Sequence, residues 1–390
     1  MIPIYLDHNA TTPVAPEVRE AMLPFLGEHF GNPSSAHAYG HTAKMAVERA
    51  RGQVAGLLGC LPEEITFTSG GTESDNHALC GIVEATERSR FHIITSQIEH
   101  PAILQTCRYL ETQGGEVTYL PVDGFGMVSP TAVAEAIAPH TALITLMHAN
   151  NEVGTIEPLA EVGEIARAAG IAFHTDAAQS VGKVPTLVDE LRVDLLTVAG
   201  HKLYAPKGIG ALYTRAGTAV GNLLYGGGQE NGRRAGTENV PHIVGLGAAC
   251  ELAQSEMAAS TPRIQALRDR LHGLLERAPI TPRLNGHPVD RLPNTLNLSF
   301  EGISSAALLA ELPGVAASGG SACHEGREAP SYVLTAMGLP REVALGAVRL
   351  TLGRGTHPDE IDAAAEELTQ AVGRLGGTLS RGQSAATQQL

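Results

Sequence analysis

Short apolar runs alternate with longer amphipathic stretches through the first two thirds of the chain. The runs are Ile65–Ser69, Phe91–Thr95, Val117–Pro121, Ala142–Met147, Ile171–His174 and Leu195–Val198. Runs this short, separated by helix-length segments, mark βαβ units, so the pattern predicts an α/β fold with a mostly parallel sheet covered on both faces. Ligands of such a sheet bind beyond its carboxyl edge. After about residue 255 the rhythm changes: Ile264, Leu267, Leu271 and Leu274 share one face of a long amphipathic helix, and Thr295–Phe300 alternates like a hairpin strand. Thr356-His-Pro-Asp359 then opens a last helix, with the apolar stripe Ile361, Ala365, Leu368, Val372 and Leu375. We therefore expect a large domain over residues 15–255 and a smaller α+β domain over 256–375 joined by residues 1–14. Residues 376–390, rich in Gly, Ser, Thr and Gln, are expected to form a disordered tail.

Composition narrows the function classes. A chain of 390 residues exceeds what one hydrophobic core usually organises, in keeping with two domains. The 41 acidic against 27 basic residues give a formal charge of −14 with no long run of either sign, which argues against nucleic acid or an anionic membrane surface as a partner. Met1-Ile-Pro-Ile-Tyr-Leu-Asp7 has no basic segment leading an apolar stretch, and no later run reaches the roughly 18 apolar residues of a membrane span. A cytoplasmic protein is expected. The five cysteines, at 60, 80, 107, 250 and 323, form no CxxC pair, so a disulfide framework and a zinc ribbon are both unsupported. The first four sit among apolar neighbours and read as packed thiols.

Four lysines occur in the chain, and one, Lys202, follows the Leu195–Val198 run in a Gly200-His-Lys202 turn. The neighbouring run ends in His174-Thr-Asp176. A lysine amine that can bind an aldehyde and a carboxylate that can hold a pyridinium nitrogen, at the carboxyl ends of adjacent strands, are what pyridoxal phosphate requires. Asp176 alone reads equally well as a helix cap. Lys207, in Ala205-Pro-Lys-Gly208, reads as a surface turn, while Lys44 and Lys183 fall in a helix-like run and a turn. The Ile65–Asn76 segment is a strand, a glycine turn and a helix start, which aims backbone N–H groups and the Thr72 hydroxyl at one point suited to a phosphate. His100 ends another strand, where an imidazole can stack on a ring and move protons, and Gln179 can reach the phenolic oxygen. Cys323 lies among small and polar residues in Ala317–Pro330, with His324 and Arg327 to favour its thiolate, and a mobile loop is expected there.

In these motifs the chain resembles the NifS-like cysteine desulfurases, pyridoxal-phosphate enzymes of fold type I in the class-V aminotransferase group. The likeness is nearly full length. It runs through Tyr5–Pro13, Phe30–Ser35, Thr68–Ser74, His148–Gly154, Asp176–Ser180, Gly200–Lys202, Gly226–Glu230, Ser318–Cys323 and Arg349–Arg354. The resemblance implies a large domain with a seven-stranded sheet and a small domain carrying the cysteine loop. It implies that Lys202 binds the cofactor covalently, Asp176 and Gln179 hold its ring nitrogen and phenolic oxygen, and His100 stacks on the ring. Gly71, Thr72 and His201 would bind the phosphate, with Thr237 contributed by the second subunit of a homodimer. Asn151 would lie beside the cofactor oxygen and Arg349 would clamp the carboxylate of L-cysteine. The implied reaction yields L-alanine and a persulfide on Cys323, with Lys202 taking the α-proton and His100 carrying protons. The sulfur would pass to an acceptor protein serving iron–sulfur cluster biogenesis or tRNA thiolation.

Two departures from the family pattern stand out. Ala199 occupies a position where many relatives have a phosphate-binding serine, and His324 directly follows the cysteine, both features of selenocysteine lyases. Selenocysteine lyase is therefore the alternative reading, and an aminotransferase without persulfide chemistry a lesser one. The end of the chain does not resemble the scaffold-docking end of housekeeping desulfurases.

Overall fold

The computed structural model describes residues 2–86, 90–279, 281–319, 321–324 and 327–387, with 321–324, 327–328 and 377–387 described as backbone only. Each of the six apolar runs forms a strand of one seven-stranded sheet. Its spatial order is Ile65–Thr68, Gly210–Thr214, Leu195–Ala199, Ala172–Asp176, Thr141–Thr145, His92–Ser96 and Glu116–Leu120. The Gly210–Thr214 strand runs antiparallel to both of its neighbours, and the remaining pairings are parallel. Central strands such as Thr141–Thr145 and Leu195–Ala199 are buried along their whole length, which is why they read as continuous apolar runs rather than alternating ones.

Two apolar cores account for most of the packing. One gathers Val18, Val47, Val54, Phe67, Ile144, Phe173, Val198, Leu246 and Cys250 around the sheet. The other joins Leu6 to Leu267, Leu271, Leu296, Phe300, Leu350, Ile361 and Leu368. A single helix, Val240–Leu275, contributes to both and continues through Pro262, so the amphipathic stretch seen in the sequence is the distal part of a longer element. The upstream part escapes an amphipathic reading because it packs closely on the Ala38–Leu58 helix: a Cβ on Gly247 would lie 2.7 Å from Ala50.

The second core is roofed by an antiparallel sheet in the order Ser318–Gly319, Ala347–Thr351, Thr295–Ser299 and Arg283–Asn285. The amino-terminal strand Ile4–Tyr5 pairs in parallel with Val315–Ala316. Residues 7–12 therefore pass between the two cores. Ser321–His324 pairs antiparallel with Arg327–Pro330, with Cys323 opposite Glu328. The expectations for a mobile loop and for the Cys323 thiolate concern a tip and side chains that lie outside the described residues.

The final helix runs Pro358–Thr387, where composition led us to expect a disordered tail from 376. Extending an existing helix costs far less than nucleating one, and no proline follows Pro358 to stop it. Ile361, Ala365, Leu368 and Val372 are buried as the stripe predicts.

Candidate active site

The carboxyl ends of three strands bring the site together, two of them neighbours and the third beyond one intervening strand of the sheet. The Leu195–Ala199 strand runs into a turn, Gly200–Lys202, in which Gly200 is required: a Cβ there would lie 2.8 Å from the Ile209 side chain and 2.9 Å from its carbonyl oxygen. The Ala172–Asp176 strand ends on Asp176, which is buried and accepts a hydrogen bond from Ala178 N at 2.9 Å. The His92–Ser96 strand leads to His100, which caps the Pro101–Thr112 helix by accepting from Ala102 N at 3.2 Å through Nδ1. That bond places the proton of neutral imidazole on Nε2, leaving a donor free. Burial holds the His100 pKa below its ordinary value.

Asp176 and His100 line one cleft with Gly71, Thr72, Asp75, Asn151, Gln179, Ala199 and His201, and Lys202, next in the chain to His201, is close enough for its charge to act on both. Ligand atoms of Asp75, His100 and Asp176 lie within 4.8 Å of one another. Burial, followed by the nearby Asp176 charge, raises the Asp75 pKa well above the carboxylate range, and burial likewise raises Asp176. Asp75 was not singled out in the sequence, although it belongs to the same helix turn as Thr72.

Lys202 Nζ donates to the backbone oxygens of Asn9 (2.5 Å) and Ala10 (2.8 Å). Burial and the Arg349 charge lower its pKa to about 8 against the opposing pull of Asp176 and Asp7. Asn9 is a hub that sequence reading quoted without a role. Its backbone oxygen also accepts from Gln179 Nε2 (3.0 Å), and its Nδ2 donates to Asn151 O (3.2 Å) and Thr295 Oγ1 (2.9 Å). Its Oδ1 accepts from Lys183 Nζ (3.3 Å) and Asn294 Nδ2 (3.0 Å). Only the fold brings residue 9 here, between strands nearly two hundred positions later.

Arg349, on the Ala347–Thr351 strand, donates through Nη2 to Asp7 Oδ1 (2.8 Å) and through Nη1 to Asn151 O (3.0 Å), while its buried Nε has no partner among the described residues. Asn151 Oδ1 is likewise buried without a partner. His201 Nδ1 is 3.1 Å from Thr11 Oγ1, and burial lowers its pKa to about 4. Thr237 is exposed and lines a different cleft with Ser69, Glu230 and Arg234, so its own chain does not bring it to Lys202. Of the other cysteines, Cys107 and Cys250 are buried while Cys60 and Cys80 are only partly so; burial pushes Cys60, Cys107 and Cys250 up to about 12, where a thiolate is scarce.

The residues present fit pyridoxal phosphate. A buried carboxylate faces the cleft with the Lys202 amine near it, and the Gly71–Ala85 helix points its amino terminus at the same place with no side chain capping its first turn. Gly70, before it, has φ 149°, a conformation that L residues avoid, and a Cβ on Gly71 would lie 3.2 Å from Ala199 Cβ. The turn is thus held open for an anion by glycine alone. Ala199 offers no oxygen ligand there, which leaves Thr72, His201 and backbone amides.

Comparisons with known proteins agree with this geometry. The family model described as aminotransferase class-V matches residues 4–364. A protein named cysteine desulfurase IscS from Methanosarcina thermophila is 52% identical over 95% of this chain and 92% of its own length. The Homo sapiens protein named cysteine desulfurase is 45% identical over 96% of this chain and 82% of its own. Among solved structures, a NifS-like protein superimposes with a TM-score of 0.90 at 38% identity, covering 95% of this chain and all of that one. A structure titled SspA in complex with cysteine gives a TM-score of 0.80 at 40% identity over 89% of this chain and 98% of that one.

Proposed function

The chain belongs to the aminotransferase class-V family, and from that premise we propose that it is a cysteine desulfurase, converting L-cysteine to L-alanine with transfer of the sulfur to Cys323. The observation that carries the reading is the meeting of Asp176 and His100 in one cleft at the carboxyl edge of the sheet, with Lys202 close enough for its charge to act on both. When bound, pyridoxal phosphate would supply an electron sink for the α-carbon of an attached amino acid.

The protein's own part is placement and proton transfer. Asp176 would hold the ring nitrogen, Gln179 the phenolic oxygen, and Gly71, Thr72 and His201 the phosphate. Lys202, whose pKa is already drawn down to about 8, would take the α-proton as a free amine. Arg349 would receive the substrate carboxylate through the Nε that has no partner among the described residues, beside the Asn151 amide oxygen that also lacks one there. His100 would carry protons through Nε2. Cys323 would accept the sulfur as a persulfide and pass it to an acceptor protein in the cytoplasm.

The active unit in this reading is a homodimer in which Thr237 of one subunit completes the phosphate site of the other. Its support is that Thr237 is exposed and away from its own cleft, and that Leu26, Phe30, Tyr39 and Tyr225 are exposed apolar side chains. No helix of the described residues is long and apolar enough to cross a membrane. Mass spectrometry of the Cys323 peptide after incubation with L-cysteine tests the reading: one added sulfur is expected in the unsubstituted protein, and none at this position in Cys323→Ala. Full alanine release by Cys323→Ala would overturn it. Alanine release from L-selenocysteine exceeding that from L-cysteine in the same assay would favour the lyase reading raised by Ala199 and His324.

A further inference from the structure

Lys183 lies four residues beyond Gln179, in the turns that follow the Ala172–Asp176 strand, and reaches the same hub. Its Nζ donates to Gln179 Oε1 (3.0 Å) and Asn9 Oδ1 (3.3 Å), and both of these partners are neutral amide oxygens. A partly buried ammonium held only by neutral acceptors leaves its charge uncompensated, which is costly unless an anion completes the site. The titratable groups acting on it from other elements are Lys202, Arg349, His8 and His201, and it lines a second cleft with Tyr204, Arg354 and Glu256, the one carboxylate there, which accepts at both oxygens from Arg354 (2.8 Å each). Burial, then the charges of Lys202 and Arg349, draw its pKa down to about 7.

The hydrogen bond also decides the orientation of an amide. An ammonium can only donate, so Lys183 commits the carbonyl end of Gln179 to itself and leaves Nε2 as the donor. That Nε2 donates to Asn9 O, the same oxygen that accepts from Lys202 Nζ. The backbone oxygen of Asn9 can only accept, so it holds Nε2 at one end of the amide while Lys183 holds Oε1 at the other.

We propose that Lys183 is a positioning residue of the cofactor site: together with the Asn9 backbone oxygen it fixes the Gln179 amide with the second N–H of Nε2 available to the cofactor's phenolic oxygen, and it adds a positive charge behind that oxygen. The inference rests on the proposed function, because it supposes that pyridoxal phosphate occupies the cleft. An anionic oxygen in front of Gln179 and a cation behind it form a relay through one amide, which explains why Lys183 is tolerated without a carboxylate. The same charge opposes a proton on Lys202, since the two ammonium groups share the Asn9 hub.

The test uses the full chain loaded with pyridoxal phosphate, unsubstituted and as Lys183→Met, Lys183→Gln and Lys183→Arg, with the cofactor's visible absorption followed against pH. Loss of the charge in Met and Gln is expected to raise the deprotonation midpoint by about one pH unit, the size expected of one charge several ångströms away at partly screened dielectric. Lys183→Met should also weaken cofactor binding about tenfold, while Lys183→Arg should restore the midpoint. Lys183→Gln keeps an amide donor for Gln179 and serves if the Met variant does not fold. An unchanged midpoint in both charge-removing variants, whatever their melting temperatures, would overturn the role. An unsubstituted protein that develops no visible band with pyridoxal phosphate would overturn the proposed function itself, and the inference with it.

Discussion

At the scale of single residues, Lys202 must be a cation where it is held and a free amine where it reacts. Two backbone oxygens of the amino-terminal segment accept from it, whereas burial and Arg349 push the proton off, and the balance falls at about 8. Because this folded-state value lies below the ordinary lysine range, the free amine grows as pH rises through 8. Activity measured as kcat for L-cysteine, which reports the substrate complex in which the amine is free, should rise over that interval, and Lys202→Ala should lower kcat by about 10³-fold or more while leaving the fold intact by circular dichroism. Arg349→Gln should raise KM for cysteine and move the rising limb to higher pH, since the largest charge effect on Lys202 is then gone. The lysine and the aspartate were legible in the sequence because their chemistry demands rare residue types at strand ends. Asn9 and Lys183 were not, since an asparagine in a turn and a lysine in a loop carry no signal until another element is packed against them.

At the scale of elements, the site depends on ends rather than middles. Strands deliver Asp176 and Lys202 from their carboxyl ends, and two helices present their amino-terminal turns at His100 and Thr72. Ser331 shows how such an end is also tied to the molecule: its Oγ accepts from Val333 N (3.1 Å) and Leu334 N (3.3 Å) and donates to Glu152 Oε2 (2.5 Å), the residue after Asn151. Ser331→Ala removes a helix cap and strips a buried carboxyl group of its partner, so a loss of about 1–3 kcal/mol in denaturant unfolding is expected, with Ser331→Thr losing less. The strands themselves were legible in the sequence as apolar runs. The antiparallel Gly210–Thr214 strand was not counted among them, and the direction of a strand is decided by its neighbours, not by its own pattern.

At the scale of the whole molecule, two apolar cores are joined by one helix and by a charged seam. Arg354 pairs with Glu17 (2.8 Å) and Glu256 (2.8 Å), and its backbone N–H donates to the Tyr204 hydroxyl at 2.6 Å. Acid stability is a property at this scale. Burial holds His148 near 4, so it is neutral in the folded protein between 4 and the ordinary histidine range, where the unfolded chain binds a proton. The unfolded state then carries more protons, and stability must fall as pH drops from about 6.5 towards 4. Thermal unfolding of the unsubstituted protein should therefore lose ground against His148→Asn across that interval; parallel curves would contradict the sign.

By itself the sequence determined the α/β class, the position of the functional edge, and the residue types able to bind an aldehyde, a pyridine nitrogen and a phosphate. These follow from local rules: side-chain periodicity, glycine turns at strand ends and the chemistry of a few rare groups. The tertiary structure alone decided that residues 7–12 run between the two cores, and that Asn9 joins Lys202, Gln179 and Lys183 in one hydrogen-bonded set. It likewise decided that Arg349 reaches Asp7 and that Thr237 lies away from its own cleft. Such contacts span hundreds of positions, and their energies depend on burial and on neighbouring charges that exist only once the chain has closed around them. The two lysines at the Asn9 hub have pKa values drawn down to about 8 and about 7 for that reason, a shift that their sequence neighbourhoods do not reveal.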